Sequence, residues 1–243
     1  MAVNAAEEKK PEPKPSPSVL LASPLAAVAG ATNSIKLRGL NLTNAVEVRF
    51  LAVPPGLVST IRSATKSEPP KPLDAKRAGD TQIELSLLLP SGIAAGELPF
   101  VVVSPEGLSA TNRLVVLPAD GAVDEKEPNG GFKEAQLIRF GQTVRGEIGK
   151  EKDVDVFRFE GAAGDRIRVE LTAARLGSAL DALVNLHDAS GHLLASADDP
   201  ALGKDAVLEA TLPTAGPWFL VLLDAHDRGG PAHPYLLSLQ AAK

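Results

Sequence analysis

The chain has 243 residues, of which 44% are hydrophobic and 23% are charged. That length allows two domains of about 100 residues each, and the mixed charges predict folded domains rather than a disordered chain. The net charge of −5, the aromatic content of 4% and the lack of cysteine exclude a basic nucleic-acid-binding surface, a disulfide framework and a thiolate metal site.

The first segment has the composition of a tail. Residues 6–17 combine alternating charges with four prolines, which lack a backbone donor and favour an extended, solvated chain. We therefore predict a disordered, proline- and charge-rich tail over residues 1–17. The residues VNA at positions 3–5 fit a mature N-terminus after an added Met1, although the apolar segment that should precede a cleavage site is missing. An alanine-rich tail without that role fits equally.

Residues 18–118 have the pattern of an immunoglobulin-like β-sandwich. Ile35 and Leu37 alternate with polar neighbours, as expected of a half-buried strand. Turns rich in glycine, proline and asparagine separate seven such segments, which is typical of a sandwich. The segments are 18–22, 34–40, 45–50, 57–63, 81–89, 98–104 and 113–117, with a proline-rich loop at 67–76.

A further break in the pattern separates the two halves of the chain. We predict a linker at residues 119–128 and a second domain over residues 124–243, which starts within that linker. Residues 1–123 carry 12 basic and 11 acidic side chains, whereas residues 124–243 carry 13 and 19, so the acidity belongs to the second half. Neither half has a run of about 18 apolar residues, and no transmembrane segment is predicted.

The second half is again all-β by its pattern. Arg166, Arg168 and Glu170 alternate with apolar residues, which gives their strand one solvated and one buried face. Eight segments have the spacing of a sandwich or jelly roll, at 143–148, 154–159, 166–172, 182–187, 192–197, 207–212, 218–223 and 234–239. The fold class predicted for the chain is therefore all-β, with two β-sandwich domains and no amphipathic helix.

Several motifs of the second half follow one another in a defined order. The sequence EKEPN at 125–129 precedes GQTVRG at 141–146 and DVDVFRF at 153–159. Further matching residues lie at 174–178, 180–181, 198–199, 229–230 and 235. In this order and spacing, residues 124–240 resemble the bacterial pre-peptidase C-terminal (PPC) domain. The resemblance implies a jelly-roll-like sandwich that accompanies secreted enzymes such as peptidases.

The first half has a looser resemblance. The turn GLN at 39–41, Pro90 with the glycines that follow it, and the closing VVLP at 115–118 are similar to the immunoglobulin-like TIG (IPT) domain. A TIG-like domain directly before a PPC-like domain resembles exported proteins of planctomycete-type bacteria. This arrangement implies a secreted, periplasmic or cell-surface location. It also implies an extracellular protein or polymer as partner, such as collagen-like or cell-surface material.

Acidic and amide side chains concentrate at the junction and at the DVD turn of residues 153–155. Because residues i and i+2 of an extended segment point to the same side, alternate junction residues can converge if the junction folds back beside that turn. Calcium takes about six to eight oxygen ligands from carboxylates and carbonyl groups, so this set has suitable chemistry. The candidate ligands are Glu125, Glu127, Asn129, Asp153 and Asp155.

The PPC resemblance implies the same ligands, because relatives of this domain that bind collagen use the matching acids for calcium. One departure bears on the expectation: Gly130 stands where a further acid or amide often follows, which removes a ligand and would weaken the affinity. The oxygen ligands and the resemblance still make calcium the one cofactor expected. The alternative is that these acids form a solvated loop or pair with basic side chains.

Two other groups of polar residues have simpler interpretations. Asp198, Asp199 and Asp205 surround a loop containing Gly203, with Asp181 as a possible neighbour, but aspartate commonly accepts hydrogen bonds within its own turn, and that role is favoured. Four histidines could form a zinc site, but histidines at the edges of turns are usually solvated polar residues. They are His187, His192, His226 and His233.

No catalytic residue is assigned. The sequence has no GxSxG, HExxH or phosphate-cradling motif, although the members of a Ser/His/Asp triad need not be adjacent in sequence. Trp218 and Tyr235, the only residues of their types, lie in apolar strand patterns and are predicted to belong to the core. This shortage of exposed aromatic rings argues against a dedicated carbohydrate module.

Three functions compete. The first hypothesis is a non-catalytic accessory or adhesion module of an exported bacterial protein, stabilised by calcium, that aids secretion, surface retention or docking. The second is that the chain is the non-catalytic C-terminal portion of a secreted hydrolase such as a peptidase. The third is an unrecognised small hydrolase that acts from the histidine-bearing loops.

Overall fold

The computed structural model describes residues 14–51, 53–198 and 205–242. The regular structure is almost entirely β and forms two sandwiches of two sheets each, so the predicted fold class is confirmed. Within the described ranges no helix is long and apolar enough to cross a membrane.

The first sandwich contains the strands before residue 118. They are β1 (Ser18–Ser23), β2 (Ala26–Val28), β3 (Thr32–Leu40), β4 (Glu47–Phe50), β5 (Val58–Lys66), β6 (Thr81–Leu88), β7 (Gly96–Ser104), β8 (Gly107–Leu108) and β9 (Asn112–Leu117). One sheet has the order β1-β3-β6-β5, and the other has the order β2-β9-β7-β4, with β8 paired to β7. Neighbouring strands are antiparallel except β2 and β9.

The second sandwich contains the remaining strands. They are β10 (Ala122–Asp124), β11 (Gln136–Leu137), β12 (Thr143–Glu147), β13 (Val154–Gly161), β14 (Arg166–Thr172), β15 (Ala182–His187), β16 (Leu193–Ala197), β17 (Val207–Thr211), β18 (Gly216–Asp224) and β19 (Pro234–Ala241). The sheet orders are β10-β12-β19-β14-β17 and β11-β13-β18-β15-β16. The short strands β10 and β11 add to the sheet edges in parallel.

Alternation along the strands sorts side chains between core and surface. In β3, Ile35 and Leu37 are buried while Lys36 between them is exposed. In β14, Ile167 and Val169 are buried in the same way. Each buried aliphatic or aromatic side chain contributes about 1.5–3 kcal/mol. Each sandwich therefore has an apolar core of its own between its two sheets.

Two predicted segments differ in detail. Residues 1–13 of the predicted tail lie outside the described residues, whereas residues 14–17 contact the first sandwich: Pro17 is buried, and Ser16 Oγ donates a hydrogen bond to Glu106 O at 3.3 Å. The loop predicted at 67–76 leads into a short helix, α1 (Ala75–Ala78). A single helical turn carries no hydrophobic period, so the sequence pattern could not reveal it.

The linker predicted at residues 119–128 is corrected by the structure. Residues 122–124 form β10, which pairs with β12, and the Glu125 N–H donates to Arg145 O at 3.1 Å. The connection between the sandwiches is therefore the short turn at 118–121. A strand of three residues is too short to show alternation, which explains why the sequence did not indicate it.

The two sandwiches pack side by side through an apolar cluster. Leu236 projects from the face of β19 opposite the second core and meets residues of the first sandwich. The cluster contains Leu21, Leu25, Ala26, Ala78, Ala232 and Leu236. At Gly177 a Cβ atom would lie 2.1 Å from Leu20 O, so the backbones of the two sandwiches approach closely there. This cluster is separate from either core.

Candidate metal site

Three carboxylates, two from the junction and one from β13, meet beside β12 and β13. The carboxylates of Glu125, Glu127 and Asp155 offer oxygen atoms that lie within 4.8 Å of one another. Glu125 directly follows β10, and Asp155 is the second residue of β13. The junction is held against β13 because the Val156 N–H donates to Asn129 O at 3.0 Å. The junction therefore folds back beside the DVD turn, the condition on which the sequence argument depended.

Asn129 belongs to the same group. Its Nδ2 donates to Glu125 Oε1 at 2.9 Å, and its backbone N–H donates to Glu127 Oε2 at 3.0 Å. Asn129 and Asp155 are fully buried, yet among the described residues no hydrogen-bond partner reaches Asn129 Oδ1 or Asp155 Oδ1. A buried oxygen left without a partner costs about 1–3 kcal/mol. Both atoms are thus free to act as ligands.

The hydroxyl of Tyr235 contacts two of these carboxylates from the core of the second sandwich. It donates to Asp155 Oδ2 at 2.7 Å and lies 3.1 Å from Glu125 Oε1. Gly146 leaves the space that this ring needs, because a Cβ atom there would lie 2.3 Å from Tyr235 Cζ. The sequence assigned Tyr235 to the core and missed the role of its hydroxyl. An apolar strand pattern reveals burial, but it does not reveal a polar partner from a distant strand.

Burial and mutual repulsion change the acidity of these groups. Desolvation by burial, and then the contact with the Glu125 carboxyl, raise the pKa of Asp155 to about 9. Burial likewise raises the pKa of Tyr235 well above its usual value. Burial also raises the pKa of the neighbouring Glu147. Acids crowded in this way are stabilised by a bound proton or by a cation.

The fifth predicted ligand, Asp153, points elsewhere. Its Oδ2 accepts a hydrogen bond from the Gly149 N–H at 2.8 Å, and its Oδ1 lies 3.7 Å from Lys150 Nζ. Strand β13 begins only at Val154, so the i, i+2 rule for extended chain does not extend to Asp153. The structure thus brings four of the five predicted residues together and places Asp153 in the preceding turn.

The donor set fits a hard cation. The four grouped residues offer carboxylate and amide oxygen atoms and no sulfur or imidazole nitrogen, which is the ligand chemistry of calcium and magnesium. The two buried oxygen atoms without partners, on Asn129 and Asp155, are the observation that distinguishes this group from an ordinary exposed acidic loop.

The second acidic group has a local structural role where it is described. Asp205 Oδ1 accepts hydrogen bonds from the N–H groups of Ala173 and Ala174, at 3.0 and 2.7 Å, so it caps the 3-10 turn Ala174–Leu176. Asp199 and Gly203 lie outside the described residues. Asp181 pairs instead with Arg228, at 3.5 Å.

The four histidines have separate partners. His187 Nδ1 lies 3.1 Å from Gly191 O, His192 Nδ1 lies 3.0 Å from Asp188, and His226 Nε2 lies 3.3 Å from Asp181. His233, the last residue of the loop before β19, is buried, and its Nδ1 lies 3.3 Å from Gly230 O. Among the described residues the only group of three potential metal-ligating side chains is the one at Glu125, so the histidines do not assemble a zinc site there.

Comparisons with known proteins bear on the second half. Residues 153–223 match the family model described as the bacterial pre-peptidase C-terminal domain. A probable subtilase-type serine protease of Deinococcus radiodurans is 36% identical over 138 residues, a match that covers 50% of this chain. The chain spans only 19% of the length of that protease.

Two solved structures are similar at lower levels. The pre-peptidase C-terminal domain of a Bacillus anthracis collagenase is 19% identical, with a TM-score of 0.37, and the match covers 48% of this chain and 100% of that domain. A periplasmic inhibitor of g-type lysozyme from Aeromonas hydrophila is 14% identical, with a TM-score of 0.34, and covers 44% of this chain and 99% of the inhibitor. TM-scores this low carry no functional weight.

Proposed function

We propose that this chain, whose second half contains a bacterial pre-peptidase C-terminal (PPC) domain, is a non-catalytic accessory module of an exported bacterial protein. The match of residues 153–223 to the family model carries the proposal. The proposed partner is an extracellular protein or polymer, with collagen-like or cell-surface material as the first candidates. The proposed location is outside the cytoplasm, whether secreted, periplasmic or on the cell surface.

Retention on insoluble polymers tests the binding role. The purified chain would be mixed with insoluble collagen, with cellulose and with peptidoglycan sacculi, and the bound fraction measured after sedimentation. We expect saturable retention on at least one of these materials and none on inert beads. Equal recovery in every supernatant would contradict the binding role.

A second candidate is that the module forms the non-catalytic part of a secreted hydrolase. The observation that favours it is the 36% identity to a probable serine protease that is much longer than this chain. The complete open reading frame decides between the two candidates. A hydrolase domain encoded in the same frame supports the second candidate, and a frame that encodes only accessory domains supports the first.

We also propose that Glu125, Glu127, Asn129 and Asp155 hold a calcium ion. The unpartnered buried oxygen atoms of Asn129 and Asp155, beside three clustered carboxylates, carry this proposal. Calcium tolerates irregular sets of oxygen ligands, whereas magnesium requires a tight octahedron and loses its water reluctantly, so calcium suits this group better. The ion would neutralise the acids and fix the junction against β13.

Thermal unfolding tests the calcium proposal. A ligand that binds only the folded state stabilises it by RT ln(1 + [L]/Kd), so calcium at about 100 times Kd should add about 2.7 kcal/mol and raise the melting temperature by several degrees. Magnesium should have a much smaller effect. The double variant Glu127→Gln, Asp155→Asn should lose the response to calcium.

Two variants serve as controls for that experiment. Asp153→Asn should keep most of the response, because this side chain lies outside the group. Glu160→Gln alters an exposed acid on β13 and should keep all of it. An identical melting temperature in millimolar calcium and in chelator would remove the calcium proposal and leave the acids as a structural cluster.

A further inference from the structure

We propose that the calcium site and the contact between the two sandwiches are coupled through β12, with Arg145 as the positioning residue that links them. Binding of the ion would then tighten the docking of the first sandwich onto the second. This inference rests on the proposed calcium site. It also goes beyond that proposal, because it assigns a role to residues that are not proposed calcium ligands.

Strand β12 presents one face to the site and the other to the first sandwich. Val144 is fully buried in the core of the second sandwich, and Gly146 lies against Tyr235, so these two residues face inward. Arg145 and Glu147 alternate with them and therefore project from the outer face, towards the first sandwich.

Arg145 bridges the junction and the first sandwich. Its Nη2 lies 2.6 Å from Asp124 Oδ1, and its Nη1 donates to Ala26 O at 3.0 Å. The same Nη1 lies 3.4 Å from Asn33 Oδ1. The Arg145 side chain is only 12% exposed, and its planar guanidinium can hold all three partners in one orientation. Asp124, Ala26 and Asn33 are thereby held in a fixed relation.

The residue next to Asp124 belongs to the metal site. The Glu125 N–H donates to Arg145 O at 3.1 Å, and Glu125 Oε2 accepts from the Glu147 N–H at 2.8 Å. The Glu147 side chain in turn approaches Ser23 Oγ of the first sandwich, at 3.5 Å. Two consecutive residues therefore contact the same short stretch of β12. The Asp124 carboxylate contacts the Arg145 side chain on the outer face, and the Glu125 carboxylate bonds to the Glu147 N–H beside the proposed site.

This arrangement gives the coupling a direct physical path. An ion that fixes the Glu125 carboxylate also fixes the end of β10, and with it the Asp124 carboxylate that orients Arg145. Coupling of this kind is reciprocal: if the ion favours docking, the docking contacts must favour the ion by the same factor. A change at Arg145 should consequently be felt at the metal site, although Arg145 offers no ligand atom.

Hydrogen exchange and calorimetry on the full chain test the inference. In the wild type, calcium should slow amide exchange in β2 of the first sandwich, which contains no proposed ligand, relative to protein in chelator. In Arg145→Ala this effect should disappear, and the calcium Kd measured by titration calorimetry should rise by about fivefold or more. Arg158→Ala, which removes an exposed arginine from the opposite sheet, should match the wild type in both measurements.

Each outcome has a defined meaning. If calcium binds but slows exchange only in the second sandwich, or if Arg145→Ala binds calcium as tightly as the wild type, the coupling is overturned while the calcium site stands. If no binding heat appears in the wild type, both proposals fall together. Should Arg145→Ala not fold, Asp124→Ala removes the exposed carboxylate partner of Arg145 instead and should weaken calcium binding in the same direction.

Discussion

The geometry of the proposed metal site depends on two residues that are not among the proposed ligands, Gly146 and Tyr235. The phenol ring occupies the space where a side chain at position 146 would lie, and its hydroxyl then reaches the Asp155 carboxylate. Such a hydrogen bond contributes about 0.5–1.5 kcal/mol to a neutral carboxyl group and about 1.5–3 kcal/mol to an ionised one. Because residue 146 is a glycine, a buried cluster of polar side chains can form inside an otherwise apolar sandwich.

His233 is a second buried titratable residue. It is 2% exposed, and desolvation by burial lowers its pKa below the usual 6.5, with Asp224 acting in the opposite direction and Arg228 and Arg77 in the same one. The folded protein therefore keeps this imidazole neutral under conditions in which the unfolded chain protonates it. Its contribution to stability is complete above pH 6.5 and is lost as the pH falls from there towards the folded-state pKa.

Urea unfolding at two pH values measures this contribution. Between about pH 7.5 and about pH 5.5 the wild type should lose more unfolding free energy than His233→Gln, because only the wild type must release a proton from this side chain on folding. The raised pKa of Asp155 changes stability with the opposite sign, but it is common to both proteins and cancels in the comparison. Equal losses in the two proteins would show that His233 titrates alike in the folded and unfolded states.

At the scale of elements, the junction is the segment whose structure differs most from the one that its composition predicts. Residues 124–129 read DEKEPN, a polar sequence that predicts a flexible linker, yet β10 pairs in parallel with β12 and the following residues bond to β13. The partners that order this segment, such as Arg145 and Val156, lie on strands that come later in the chain. The turn that connects the two sandwiches is exposed at residues 118–120, and nicking is expected there.

At the scale of the molecule, two folded units share an apolar contact that neither core includes. Leu21 and Leu25 of the first sandwich pack with Ala232 and Leu236 of the second. Next to this cluster, Arg77 Nη2 donates to Ser178 O at 3.3 Å. Burial of apolar area contributes about 25 cal/mol per Å², so such a surface can keep the units associated without a covalent link.

Cleavage of the connecting turn tests that association. A protease recognition sequence inserted after Ala119 should be cut readily, because this turn is exposed, and the two fragments should still elute together in size-exclusion chromatography. The matched control is the cleaved Leu25→Arg variant, in which a charge enters the apolar cluster and the fragments should separate. Separation of the cleaved protein without this substitution would contradict a stable docked arrangement.

The fold was largely determined by local sequence. Period-two alternation, as at Ile35 and Leu37, and turns marked by glycine, proline and asparagine predicted the main strands and the two sandwiches, because each strand face must match its environment residue by residue. The ordered motifs of the second half also indicated the PPC domain, whose family model matches residues 153–223. Strands of two or three residues, such as β10 and β11, lacked enough alternation to be found.

The site was determined only in part by the sequence. Spacing nominated Glu125, Glu127, Asn129 and Asp155, but whether they meet depends on how the junction folds back, which is a tertiary contact. The same tertiary structure turned Asp153 away, placed the Tyr235 hydroxyl among the acids and set Arg145 between the sandwiches. The alternation of apolar and polar residues predicts which side of a strand is buried. Only the packing of distant strands decides which polar atoms share a buried space and which of them are left without a partner.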